Sequence, residues 1–286
     1  MRPDPTPSAT IAQHYATRLD GYDEMHADAG RMLPHWRILA REIEQLGREG
    51  LIRRHREAQR LLRENGVTFN VIDGPRGTTR PWQLDPLPLL ISAEEWAVIE
   101  AGLVQRTEVL NLLLADLYGP RRLLREGLLP PELIFAHGGF QRCCAGLPAF
   151  AERPLVFCAV NLVRGPDGRM WVLDDRAQSP SGAGYALENR MVMTRIAPVL
   201  FQNSHVKRLA GFFQLMRERL ARLAPQNRDD PRVVLLTPGP YSQTYFEHAY
   251  LADYLGYTLV QGDDLSVRDG RVWLKSLEGL HQVDVI

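Results

Sequence analysis

Lysine, cysteine and net charge are the three things this chain has little of. Of its 34 basic residues, all but Lys207 and Lys275 are arginine. Cysteine occurs three times, at Cys143, Cys144 and Cys158, and acidic residues match the basic ones at 34, so the formal net charge is zero. An odd cysteine count with no ligand-like spacing argues against a disulfide scaffold or a zinc site and points to the reducing cytoplasm. The neutral balance removes any global electrostatic case for nucleic acid or an anionic membrane. No apolar run nears the roughly 20 residues needed to span a bilayer, and the first ten residues are polar and proline-rich, unlike a secretory leader. What remains is an ordinary globular composition: 286 residues, 45% hydrophobic and 24% charged, with room for two domains.

The order of patterns along the chain predicts a mixed α/β (α+β) protein. Residues 1–10 read as a disordered tail. Residues 11–88 form a helical N-terminal region. Trp36, Leu39, Ala40, Ile43 and Leu46 recur at helical spacing, Gly47 and Gly50 punctuate that helix, and a second one runs from Leu51 to Glu64. Its arginines alternate with glutamates, the pattern of a solvated face rather than a nucleic-acid groove. Val67–Ile72 alternates like a strand and leads to a turn at Asp73-Gly74-Pro75, after which prolines punctuate the chain to residue 88. Residues 89–224 form a second region opened by a helix that Ser92 and Glu95 cap.

Within that region Leu155–Val163 is the strongest strand signal, and its apolar character predicts burial on both faces. Gly165-Pro166-Asp167-Gly168 turns it into Met170–Asp174, giving an antiparallel hairpin. Pairing Val163 with Met170 would set Asn161 diagonal to Asp174 on one face, roughly 7–8 Å apart at the backbone and able to share an ion. Asp174 and Asp175 at the strand end favour a metal or a cation. The loop that follows, with Ser181, Gly182 and Gly184, favours an anion, because unpaired backbone N–H groups point outward at the start of a helix. Glu188, Asn189 and Arg190 sit on the helix behind it. From residue 231 a third region reads β-α-β: a strand at Arg232–Leu236, a helix that Thr244 and Glu247 would cap, and a strand at Tyr257–Val260. The loop between the first strand and the helix carries Thr237, Gly239 and Ser242, and ligands sit at that position in such units. A hairpin turning at Asp269-Gly270 follows, and the apolar run Val283–Ile286 reads as an edge strand left uncovered.

These motifs, in this order, resemble the circularly permuted ATP-grasp family of bacteria, and specifically its long multidomain members. The resemblance rests on Tyr22-Asp-Glu-Met25, Arg63-Glu-Asn-Gly66, Trp82 with Asp85-Pro-Leu-Pro88, and Leu110-Asn111 with Asp116-Leu-Tyr-Gly-Pro120. It continues through Pro180–Arg190, Leu236-Thr-Pro-Gly239, Tyr245-Phe-Glu-His248 and Gly262-Asp-Asp-Leu265. It implies an ATP-dependent carboxylate–amine ligase that works through an acyl phosphate and uses ATP and Mg2+. Residues 89–224 would be the permuted ATP-grasp subdomain and 231–286 part of a Rossmann-like pre-ATP-grasp domain, with the other nucleotide-clamping half supplied by further chain. By the same resemblance Asp174, Asp175 and Asn161 are the candidate metal ligands and Arg176 and Arg190 the candidate catalytic cations. Ser181, Gly182 and Gly184 would bind phosphate, and Thr237, Gly239, Ser242 and Glu247 would bind the substrate. The superfamily pattern has an acid on the first hairpin strand and Glu-x-Asn on the second, where this chain has Asn161, Asp174 and Arg176. Arg176 has only donors and cannot hold a metal, but it can meet a phosphate directly. That departure motivates a rival reading, a catalytically impaired binding or scaffold module. A third reading, independent of the resemblance, is a nucleotide-sugar enzyme built on the β-α-β unit.

Overall fold

A computed structural model describes residues 15, 21–27, 31–71, 78–147, 154–224 and 230–286. The backbone divides into two units, residues 1–90 with 181–286, and residues 91–180. The chain is helix-rich with small sheets, a mixed α/β arrangement. Among the described residues no helix is long and apolar enough to cross a membrane.

The first unit opens with two short paired strands, β1 (His26–Ala27) and β2 (Arg31–Met32). Helix α1 (Arg37–Glu64) follows. The expected break at Gly47 is a kink instead: Gly47 alone leaves helical geometry, at φ 59°, and the helix resumes. Upstream of Arg37 the described segment is a hairpin and a 3-10 turn, so the helical region is shorter than its pattern suggested. Leu39, Ala58, Leu61 and Leu62 bury the inner face of α1. After it come β3 (Thr68–Val71) and β4 (Thr78–Pro81), an antiparallel pair with Thr68 opposite Pro81. The proline-punctuated crossing therefore contains a strand, which ends at Pro81; the expected tail over residues 1–10, the Asp73-Gly74-Pro75 turn and residues 225–229, between the second and third regions, lie outside the described residues.

The same unit resumes with α5 (Ala183–Ile196), α6 (Pro198–Asn203) and α7 (Ala210–Ala221). Tyr185, Val192, Met193, Ile196 and Leu200 close over α1, giving one core. Strand β7 (Val234–Leu236), helix α8 (Tyr245–Leu255) and strand β8 (Thr258–Val260) then form the expected β-α-β unit, with β7 and β8 parallel. Leu187, Phe213, Leu251 and Leu255 make a second core between α5, α7 and α8. A three-stranded meander, β9 (Leu265–Arg268), β10 (Arg271–Ser276) and β11 (Gly279–Gln282), turns at Asp269–Gly270 as its sequence predicts. The Val283–Ile286 run is not an open edge along its length. Val285 pairs in parallel with Val233, and Val283 and Val285 are buried at 7% and 6% exposure.

The second unit is built on α2 (Ala93–Tyr118), whose first turn is capped by the Ser92 hydroxyl accepting from the Glu95 N–H at 3.2 Å. The reciprocal half of the capping box is diverted, because the Glu95 carboxylate accepts from Arg164 instead. Two short helices follow, α3 (Arg122–Arg125) and α4 (Pro131–Phe135). Asp116 holds the first of them by accepting from the Arg122 and Leu123 N–H groups at 2.9 and 3.1 Å. Asn111, 5% exposed, accepts from the Leu155 N–H at 2.9 Å and ties the incoming segment to α2. That segment is not yet strand: the hairpin is β5 (Ala159–Arg164) with β6 (Met170–Arg176), shorter than the apolar run predicts. The apolar run is half-covered rather than buried on both faces, with Val156 at 42% and Val163 at 43% exposure. The inner side of the hairpin, Leu162, Met170 and Val172, lines a groove with Val98, Ile99 and Leu103 of α2. Replacing Leu62, 1% exposed in the core of the first unit, with alanine should lower stability by about 2–5 kcal/mol in chemical denaturation. A loss under half of that would mean the α1–α5 core is not the main support of the unit.

Candidate functional site

The hairpin end carries four of the candidate residues, and a β-bulge decides what each one does. The pairing runs Val163 with Trp171 and Leu162 with Val172, then jumps to Asn161 with Asp174, leaving Leu173 as the extra residue. The expected pairing of Val163 with Met170 is thus off by one, and the bulge places Asn161 directly opposite Asp174 rather than diagonal to it. It also inverts the alternation. Met170 and Val172 turn toward α2, and beyond Leu173 it is Asp175 that turns toward α2. There Arg106 donates to it through Nε at 2.8 Å and Nη2 at 2.5 Å. The Arg106 guanidinium holds the Asp175 carboxyl below the usual carboxylate range.

Asp174 faces the other way, half-exposed. Asn161 donates through Nδ2 to both of its oxygens, at 2.9 and 3.1 Å, and the Arg176 Nε lies 3.7 Å away. Asn161 therefore meets Asp174 as a donor, not as a second oxygen ligand; turning its amide over would present Oδ1. Magnesium is commonly held by one or two carboxylates together with substrate phosphates. Of the adjacent Asp174 and Asp175, only Asp175 is held by a guanidinium through two of its nitrogens. Among the described residues no group of three or more His, Cys, Asp or Glu could hold a metal ion. The hairpin fits a magnesium ion that arrives with phosphates and does not fit a free one.

In the first unit, the Ser181–Gly184 loop enters α5. Gly182 adopts φ 122°, a conformation that disfavours side chains, and serves as the N-cap. Its N–H donates to Glu247 Oε1 and Oε2 at 2.7 and 2.9 Å, and the Gly184 N–H donates to Oε1 at 2.8 Å. The N–H groups expected to meet a phosphate, and the carboxylate expected to meet a substrate, thus meet one another. Glu247 is 2% exposed. Burial pushes its carboxyl above the usual range, against the opposing pull of the Gly184, Gly182 and Ala183 N–H groups.

The three residues behind the loop serve three different neighbours. Glu188, 2% exposed, accepts from Asn65 Nδ2 at 2.6 Å and from the Tyr250 hydroxyl. Asn189 accepts from Trp82 Nε1 at 2.9 Å. Arg190 stacks on Phe201 at 5.4 Å and, among the described residues, has no ion-pair partner; burial lowers its pKa.

The β7–α8 loop is held from inside. Thr237, 3% exposed, accepts from the Gly239 N–H at 3.1 Å and bonds His248 Nδ1 at 2.9 Å, while Thr244 Oγ1 bonds His248 Nε2 at 3.1 Å. His248 is half-buried between the two threonines. Thr244 does not cap α8, whose N-terminus has no side-chain cap. Both members of the expected capping box are committed elsewhere, Thr244 to His248 and Glu247 to α5. Asn70 braces the far side of the loop, donating through Nδ2 to the Pro240 and Ser242 carbonyls at 2.9 and 2.7 Å.

The profile of circularly permuted ATP-grasp type 2 proteins matches residues 88–286. The chain belongs to that family. It is 44% identical over 274 residues to an uncharacterized protein of Mycobacterium tuberculosis, covering 93% of this chain and 31% of that one. An uncharacterized protein of Synechocystis is 37% identical over 265 residues, covering 93% of this chain and 55% of its own length. The chain thus spans a third to a half of the relatives it matches. ATP-grasp proteins generally bind ATP with Mg2+.

Arg106, Asn70 and His248 escaped sequence reasoning. Arg106 lies 69 residues from the aspartate it binds, and only the bulge reveals that it is needed. Because the folded pKa of Asp175 is lowered, its stabilisation is complete above the unfolded carboxyl value and is lost as pH falls through the folded one. Asp175→Asn should therefore be less stable than wild type at neutral pH, and the gap should close on acidification. Thermal unfolding of both proteins across the carboxylate range checks this; a gap independent of pH would rule out the Arg106 pairing as its source.

Proposed function

We propose that the full-length protein is an ATP-dependent carboxylate–amine ligase, to which this chain contributes part of the active site. The observation that carries the reading is the family match over residues 88–286. In such a reaction a carboxylate oxygen attacks the γ-phosphorus of ATP, releasing ADP and forming an acyl phosphate. An amine then attacks the acyl carbon, phosphate leaves, and the amine proton passes to solvent or a base. Bound magnesium would offset the phosphate charge.

Asp174 supplies the carboxylate through which a phosphate-bound ion is held, and Asn161 orients it. Asp175, tied to Arg106, fixes the strand end instead of binding metal. Arg176, beside Asp174, and Arg190, stacked on Phe201, are the cations assigned to charge developing on the transferred group. Ser181 faces the phosphate, and Gly182 and Gly184 form the turn that carries it. Thr237 and Gly239, bonded to each other, shape the substrate loop of a Rossmann-like unit. Ser242 and the uncapped start of α8 are where a substrate carboxylate is received. The three cysteines are free thiols, which suits the reducing cytoplasm.

A second reading, a binding or scaffold module descended from the ligase, is favoured by one observation: the carboxylate assigned to the metal, Asp174, is bracketed by the donors Asn161 and Arg176. The full-length protein incubated with Mg-ATP and mixed carboxylates and amines should release ADP and phosphate. Asp174→Ala should lower that release on the order of 10²-fold. Mg-ATP binding by calorimetry with no turnover in any mixture would instead support the scaffold reading.

A further inference from the structure

Glu247 occupies the third position of α8, where sequence pattern makes it a cap for its own helix. Its carboxylate instead crosses to the first turn of α5 and accepts from the Gly182 and Gly184 N–H groups at 2.7–2.9 Å. A β-carbon built on Gly184 would fall 2.8 Å from Glu247 Cγ and 3.4 Å from its Cα. Glycine is what lets α8 come this near. A space with no room for one methyl group has none for a tetrahedral phosphate. An isolated carboxylate buried to 2% exposure would be strongly disfavoured without donors around it, and the Gly182, Ala183 and Gly184 N–H groups supply them.

We infer that Glu247 is a positioning residue: it is the resident anion of the α5 N-terminus, joining α5 to α8. The Gly182 and Gly184 N–H donors are committed to it and are not where a phosphate binds. Burial raises the Glu247 carboxyl pKa and the Gly184, Gly182 and Ala183 N–H groups lower it, so those donors are what favour its charged form. The inference goes beyond the ligase reading and does not depend on turnover, because every readout below works without nucleotide.

The test uses hydrogen–deuterium exchange of the full-length protein, followed on peptides covering Ser181–Leu187. In Glu247→Ala these peptides should exchange roughly tenfold faster than in wild type. Formate or acetate, compared with chloride at equal ionic strength, should restore slow exchange in the variant by filling the vacated seat and should leave wild type unchanged. Inorganic phosphate added to wild type should not alter exchange of these peptides. If Glu247→Ala does not fold, Glu247→Gln provides the test. It keeps the shape but turns an N–H donor toward N–H donors, and should also speed exchange. Unchanged exchange in the variant that folds, or protection of these peptides by phosphate in wild type, overturns the inference.

Discussion

Burial of two carboxylates against helix α5 is the constraint on which the first unit depends. Glu247 comes from α8 and meets the N-terminus of α5, and Glu188 belongs to α5 itself and meets Asn65 and Tyr250. Neither could be buried without its donors, so α1, α5 and α8 must assemble together. Tyr185 adds a neutral tie. Its hydroxyl donates to the Thr68 carbonyl at 2.7 Å and its ring stacks on Trp82 at 4.3 Å. Burial, with the Glu247 charge adding, pushes that phenol up to about 12, so it stays a donor at any physiological pH. The stretch that looks from sequence like a ligand loop is also the structural hub of the unit.

A different economy holds in the second unit. Its hairpin has two strands only, and a hairpin of that size is marginal without something to pack on. Helix α2 provides it, through apolar contact along the groove and through two ion pairs, Glu95 with Arg164 and Arg106 with Asp175. Both pairs join residues far apart in sequence. One of them fixes Asp175, the carboxylate next to Asp174, on Arg106.

Much of this was legible beforehand, and the misses share a cause. Local patterns were read correctly: the Ser92 cap, the Asp269–Gly270 turn, the parallel β-α-β unit and the hairpin itself follow from short-range chemistry. The family was legible too, because many short motifs recur in one order. What failed was anything settled by a partner distant in sequence. Thr244 and Glu247 have the spacing of a capping box, but the box competes with a buried histidine and another helix, and the tertiary partners win. The seat of His248 depends on Thr237, which nothing in its own helix announces. The apolar Val283–Ile286 run looked like an open edge because its partner, Val233, lies some fifty residues away. The register of the hairpin failed for a subtler reason. Strict alternation is the natural assumption for seven residues of strand, and a single extra leucine breaks it.

That leucine has a consequence for how the chain can change. Asp174 and Asp175 are the same chemical group on neighbouring positions, and the phase of the strand is all that makes one outward-facing and the other the partner of Arg106. Removing Leu173 would take the bulge away with its extra residue and leave Asp174 opposite Asn161 and Asp175 opposite Val160; a strand that kept Leu173 but lost the bulge would exchange their duties. A site of this kind can be rewired by a shift of register that changes neither aspartate, and it tolerates loss of the one residue that the bulge sets aside.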